Sequence, residues 1–168
     1  MPNRDRTKVY WDACVWLSYV NEDADRIPVL DAILANSADE DGSLTLHTSE
    51  LSQVEVAFAA AEQKQRLLDP EVETKIDSLW IDRDAVVPVE YHERIGREAR
   101  ELMRFAITNG WSLKPMDAIH LATAKWLGVS EFHTYDTALN RYSAQVSFKI
   151  MEPYTPQPRL FDEDDPST

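Results

Sequence analysis

The amino-acid sequence predicts an α/β fold built on a mainly parallel central sheet. Two observations predict it. Short apolar runs alternate with longer stretches of helical periodicity, in the order strand, helices, strand, helices, strand, helix, helix, strand. Four acids, Asp12, Glu55, Asp117 and Asp136, also stand where an apolar run stops or just inside a helix that follows one. Sites in open parallel sheets form beyond the carboxyl ends of the strands, so the acids and the fold class support one another.

The elements follow in order. Val9 to Asp12 is a short apolar strand ending in an acid, and Ala13 to Val20 turns off it as a helix. Val29, Leu30, Ile33 and Leu34 mark one face of a second helix, and Asn36 to Gly42 is a polar turn. Ser43 to Thr48 alternates as a second strand. Thr48 and Ser49 are suitable N-caps for a helix running from about Glu50 to Leu68. Within it, Glu55 is flanked by Val54, Val56, Ala57 and Phe58, a setting that draws a carboxylate away from solvent.

Asp69-Pro70 caps and starts another helix, with Val72, Ile76, Leu79 and Trp80 on its buried face. Val86 to Glu90 is a third strand, and Pro88 makes it short or places it at an edge. Tyr91 to Asn109 is a long helix with Ile95, Ala99, Leu102 and Ala106 as its core stripe. On the other side, Arg94, Arg97, Arg100 and Arg104 are interleaved with Glu93, Glu98 and Glu101, the pattern of a solvated, salt-bridged face. Val146 to Ile150 is the last strand.

The segment Lys114 to Asp136, KPMDAIHLATAKWLGVSEFHTYD, organises the rest. Pro115 suits a first helical turn, and Gly128 ends the helix. Ile119, Ala122, Trp126 and Leu127 form its apolar face. Asp117 falls in the first turn, and Asp136 follows the short strand Glu131 to Tyr135. Taken alone, Asp117 reads as a helix-dipole acid and Asp136 as an N-cap. Their repetition at equivalent places argues for more.

Composition bounds the possibilities. A chain of 168 residues fits one domain, here 1–152, followed by an acidic, proline-containing tail over 153–168 that holds Asp162 to Asp165. No apolar run is long enough to span a bilayer, and the amino-terminal residues lack the pattern of a signal peptide. Cys14 is the only cysteine, which excludes an internal disulfide and a cysteine-based zinc site. These features predict a cytoplasmic protein without a membrane partner. The net charge of −13 opposes general nucleic-acid binding, and it fits carboxylates gathered around metal ions or a basic partner.

If the strands run parallel, the four acids collect at one edge of the sheet. Two carboxylates about 5 Å apart repel by roughly 3 kcal/mol at an effective dielectric of about 20. A divalent cation removes that repulsion, and an all-oxygen set favours Mg2+ or Mn2+ over zinc. Such ions clamp phosphates and activate water for attack on a phosphodiester.

With these residues in hand, the chain resembles the PIN domain family, and within it the VapC-type ribonuclease toxins. The resemblance lies in VYWDACVWL with Asp12, TSELSQVEVAFA with Glu55, MDAIHLATA with Asp117, and TYD with Asp136. The DAIHLATA segment is the most specific. The resemblance implies a PIN-like three-layer α/β/α sandwich and Mg2+- or Mn2+-dependent cleavage of RNA. It also implies inhibition by a cognate antitoxin protein, and a homodimer. By position, Asp12, Glu55, Asp117 and Asp136 match the family's acidic quartet. Thr48 or Ser49 matches its small polar residue near the metal, and Thr134 its threonine before the last acid.

In that reading Asp12, Asp117 and Asp136 hold the metal, and Glu55 is a further ligand or orients the attacking water. Lys114, Lys125 and Arg141 lie near the Asp117–Asp136 segment and are candidate RNA contacts. Cys14, with apolar flanks, reads as a packing residue. His120 lies one turn beyond Asp117, where it can face the site, but its place between Ile119 and Leu121 favours packing. Two other readings compete. A haloacid-dehalogenase-like phosphatase also begins with an acid after its first strand, but it needs a second Asp where this chain has Cys14. A non-catalytic PIN-like binding module with a protein partner is the other, and the presence of all four acids argues against it.

Overall fold

The computed structural model describes residues 5–155, so the acidic run of the tail lies outside the described residues. Five strands form one sheet in the order β3-β2-β1-β4-β5: β1 (Thr7–Trp11), β2 (Leu44–Ser49), β3 (Val87–Val89), β4 (Glu131–His133) and β5 (Lys149–Met151). Every pairing is parallel. The helices are α1 (Ala13–Val20), α2 (Ile27–Ala38), α3 (Ser52–Glu55), α4 (Ala60–Gln65), α5 (Pro70–Ile81), α6 (Glu93–Thr108) and α7 (Pro115–Leu127). A 3-10 turn over Thr137–Tyr142 follows β4.

Strand β1 is central, and its Val-Tyr-Trp run is buried on both faces as a parallel strand requires. Val9 and Trp11 join Val15, Trp16, Leu30 and Ile76 in the layer built by α1, α2 and α5. Tyr10 points the other way, into the layer of α6 and α7, and stacks on Phe132 at 5.2 Å between centroids. The product is a three-layer α/β/α sandwich. Small residues in α7 (Ala118, Ala122, Thr123 and Ala124, all buried) let that helix approach its neighbours closely.

The chain moves outward from β1 through β2 to β3, then returns to the opposite side of β1 for β4 and β5. The strand order therefore reverses between β1 and β4. The carboxyl edge at such a reversal is where a crevice opens in an open parallel sheet. Asp12 leaves β1 at that point, and its backbone N–H donates to the carbonyl of His133 at 3.3 Å.

The structure corrects several expectations. The single helix from Glu50 to Leu68 is two short ones, α3 and α4, with Val56–Ala59 between them. The break is held by the buried Glu62, whose carboxylate accepts from the backbone N–H of Ala59 at 2.8 Å and of Asp69 at 2.7 Å. Neither Thr48 nor Ser49 caps α3, whose N-cap is Leu51. Helix α2 runs into the expected polar turn as far as Ala38, and the turn itself begins at Asp39. Strand β5 begins at Lys149 rather than Val146. Trp126 leaves the apolar face, is 51 % exposed, and lies edge-on to His92 at 4.7 Å. β3 is an edge strand as Pro88 requires. No helix among the described residues is long and apolar enough to cross a membrane.

Candidate active site

Asp12 is buried at the end of β1 and is also the N-cap of α1. Its Oδ1 accepts from the backbone N–H groups of Cys14 at 3.1 Å and Val15 at 3.4 Å. The Cys14 thiol donates to the same oxygen at 2.8 Å. Cys14 is thus a polar partner of the acid, not an apolar filler. Burial, with the Asp12 charge beside it, pushes that thiol up to about 12, so it stays protonated and able to donate. Burial also raises the Asp12 carboxyl, while hydrogen bonds from Cys14 and Thr134 and the nearby His120 pull it back.

Asp136 is exposed after β4 and caps the 3-10 turn, accepting from the N–H of Ala138 at 2.9 Å on Oδ1. Thr134 braces this end of the strand. Its Oγ1 accepts from the N–H of Asp136 at 3.0 Å and lies 3.3 Å from the Cys14 sulfur. Asp117 stands in the first turn of α7, where Pro115 supplies the helix start without an N–H to satisfy. Its carboxyl is raised, first by burial, and also by the charges of Asp12 and Asp136; His120 and Lys114 act against these. Asp117 therefore senses both of the other aspartates.

Glu55 reaches the same region by a different route. Its Oε2 lies 2.6 Å from Nε2 of His120, three residues along α7 from Asp117. Nδ1 of His120 lies 2.7 Å from the hydroxyl of Tyr10, two residues before Asp12. An ionised carboxylate only accepts, so Nε2 carries the proton facing Glu55, and in the neutral ring the Tyr10 hydroxyl donates to Nδ1. The packing role read for His120 in the sequence is corrected here, because both ring nitrogens are committed. The apolar run around Glu55 is divided: Val56 is buried, but Val54 is 75 % exposed and Ala57 and Phe58 are exposed, while the half-buried Glu55 carboxylate meets His120.

The remaining predicted residues divide. Thr48 donates to the carbonyl of Trp11 at 2.9 Å, accepts from Trp16 Nε1 at 3.1 Å and contacts Ser52 at 2.8 Å, so its hydroxyl is committed within the fold. Ser49 Oγ accepts from the N–H of Leu51 at 3.2 Å. Lys114 is exposed and close enough to Asp117 to act on it. Arg141 is exposed and lies 5.4 Å over the ring of Trp111. Lys125 is paired with Glu98 of α6. Along α6, Arg97 pairs with Glu93 at 3.0 Å, as a solvated face does.

The sequence reading missed Tyr10. The signal available was a phenol in a strand otherwise Val and Trp, since a buried hydroxyl needs a partner. Among the described residues no three His, Cys, Asp or Glu side chains stand as a ready-formed metal-holding group. The donor chemistry nonetheless fits a hard cation. The acids are carboxylates, and the repulsion that Asp12 and Asp136 exert at Asp117 is the kind a cation relieves.

A PIN domain family model matches residues 9–145. The chain belongs to the PIN domain family. Solved structures share its fold. FitAcB from Neisseria gonorrhoeae is 17% identical, with a TM-score of 0.60 over 88% of this chain and 99% of that one. VapBC-1 from nontypeable Haemophilus influenzae is 12% identical, with a TM-score of 0.61 over 87% and 98%. VapBC2 from Rickettsia felis, bound to a DNA fragment from their promoter, is 13% identical, with a TM-score of 0.59 over 87% and 98%. At such identities the likeness is one of fold. No curated protein matches this PIN domain chain.

Proposed function

We propose that this PIN domain protein is a Mg2+- or Mn2+-dependent endoribonuclease, and that it serves as the toxin of a toxin–antitoxin pair. The observation that carries the reading is the placement of Asp12 at the end of the central strand, Asp136 after β4 and Asp117 in the first turn of α7, at the reversal point of an all-parallel sheet. Asp12, Asp117 and Asp136 would hold the cation through their carboxylates. When bound, the cation supplies Lewis-acid polarisation of the phosphate and a lower pKa for the attacking water. Glu55 would be a further ligand or would orient that water, with Thr134 and Ser49 as supporting residues. Lys114 and Arg141 meet the RNA backbone on the Asp117 side. No side-chain nucleophile is needed, and the protonated thiol of Cys14 is unsuited to be one.

The net charge supports a basic protein partner, and the VapBC and FitAcB assemblies of like fold make a cognate antitoxin the natural choice. A homodimer belongs to the same reading. The deciding experiment is cleavage of single-stranded RNA by purified, partner-free protein with and without Mn2+. Metal-dependent cleavage that disappears in Asp117→Asn is the expected result. A second reading, a non-catalytic binding module, draws on the apolar surface at Val54, Leu67 and Leu68, all more than two-thirds exposed. Absence of cleavage in every metal tested would leave that reading in place of the nuclease.

A further inference from the structure

Glu55 sits on an element that cannot by itself fix a side chain. Helix α3 has only four residues, and its C-cap Val56 has already left helical geometry at φ −102° and ψ 54°. One turn of helix is intrinsically unstable, because nucleation costs more than its few hydrogen bonds return. Yet the Glu55 carboxylate is held at 2.6 Å by His120, whose side chain is 2 % exposed. His120 in turn is held at 2.7 Å by Tyr10, which is completely buried on β1.

These three residues are distributed in a particular way. Tyr10 lies two residues before Asp12, on the same side of the extended chain. His120 lies three residues after Asp117, on the same side of α7. The Tyr10–His120–Glu55 chain thus joins the three elements that carry Asp12, Asp117 and Glu55. The two anchoring elements are the central strand and a 13-residue helix, and the third is the weak one.

We propose that Tyr10 and His120 are positioning residues, a buried hydrogen-bonded tie that fixes Glu55 relative to Asp12 and Asp117. The role of Glu55 rests on the nuclease reading above, but the tie itself is a property of the fold. Functional groups need placement within about 0.5 Å, and loss of a supporting hydrogen bond behind a metal-site residue costs on the order of 10–100-fold in affinity or activity.

The test uses His120→Leu, His120→Gln and Tyr10→Phe in the full chain, each first checked for cooperative thermal unfolding. Three quantities are measured: amide hydrogen exchange over residues 52–58, Mn2+ affinity by electron paramagnetic resonance of the free ion, and kcat and KM on single-stranded RNA. His120→Leu is expected to speed exchange in that segment by about tenfold while α7 keeps its protection. It should lower Mn2+ affinity or kcat by about 10–100-fold with KM nearly unchanged. His120→Gln retains a side-chain donor and should recover part of each loss. Tyr10→Phe removes only a hydroxyl and should shift the same quantities less; it carries the test if His120→Leu does not fold. Unchanged exchange over 52–58 in the folded variants overturns the tie. If the unmodified protein neither binds Mn2+ nor cuts RNA, the nuclease reading fails, and the exchange measurement still decides whether the tie exists.

Discussion

The Cys14 thiol donates to Oδ1 of Asp12 across 2.8 Å, inside the first turn of the helix that Asp12 caps. The lone cysteine of the chain therefore stabilises the charged form of the one buried acid among the four. Cys14→Ala removes a donor that favours the carboxylate, so the Asp12 carboxyl should rise further. If cleavage needs Asp12 ionised, the acid limb of the kcat/KM profile moves to higher pH in Cys14→Ala. Cys14→Ser keeps a hydroxyl donor and should stay near the original profile. An acid limb that does not move in Cys14→Ala would count against this coupling.

Burial raises the carboxyls of both Asp12 and Asp117 above their unfolded values. The folded state then binds protons more tightly than the unfolded chain. The contribution of these groups to stability is greatest in acid, and it is lost as pH rises from the ordinary carboxylate range through the raised folded values. Asp12→Asn removes that loss and keeps a side chain that caps helices well. Without metal, this variant should melt higher than the unmodified protein near pH 7, by about 2–4 °C per kcal/mol recovered. The gap should close at about pH 3, where the acid is neutral in both states. Calorimetric melts at the two pH values check this, and a variant that melts lower near pH 7 contradicts it.

Asp117→Asn should keep the fold and abolish cleavage. Asparagine retains shape and hydrogen-bonding capacity but not the charge that a hard cation needs. Mn2+ should stabilise the unmodified protein by about 2.7 kcal/mol at roughly 100 times its dissociation constant. It should stabilise Asp117→Asn far less. Circular dichroism separates loss of site from loss of fold, and undiminished Mn2+-dependent cleavage by the variant is the outcome that rejects the assignment.

Lys114, Lys125 and Arg141 differ in availability. Lys114 is exposed and close enough to Asp117 to act on it, and Arg141 is exposed over the ring of Trp111, whereas Lys125 is paired with Glu98. In a cleavage-dead background with metal present, the salt dependence of RNA binding should be shallow, corresponding to about two or three phosphates. Lys114→Ala and Arg141→Ala should each reduce the slope by about one, and Lys125→Ala should leave it unchanged. A steep slope would reveal a basic groove elsewhere on the surface.

Local sequence determined the elements wherever one principle dominated. Asp12 and Asp136 were legible because strand ends and N-caps are written in a few adjacent residues. Asp117 was legible because Pro115 and Gly128 bracket its helix. Pro88 marked a short or edge strand by the hydrogen bond it cannot donate. A parallel sheet followed from the alternation of strands with helices, since parallel neighbours need a crossover between them.

What the sequence alone could not decide lay in contacts between residues far apart in the chain. The helix read over Glu50–Leu68 broke because the Glu62 carboxylate satisfies backbone donors at Ala59 and Asp69, and no periodicity reports that bond. Glu55 and His120 are 65 positions apart, and Tyr10 and His120 are 110. Flanking residues gave His120 and Cys14 an apolar character, because neighbours in sequence indicate burial but not which polar atom waits across the interface. Burial made partners obligatory for these groups, and only the packing of β1, α3 and α7 against one another chose which partners they found.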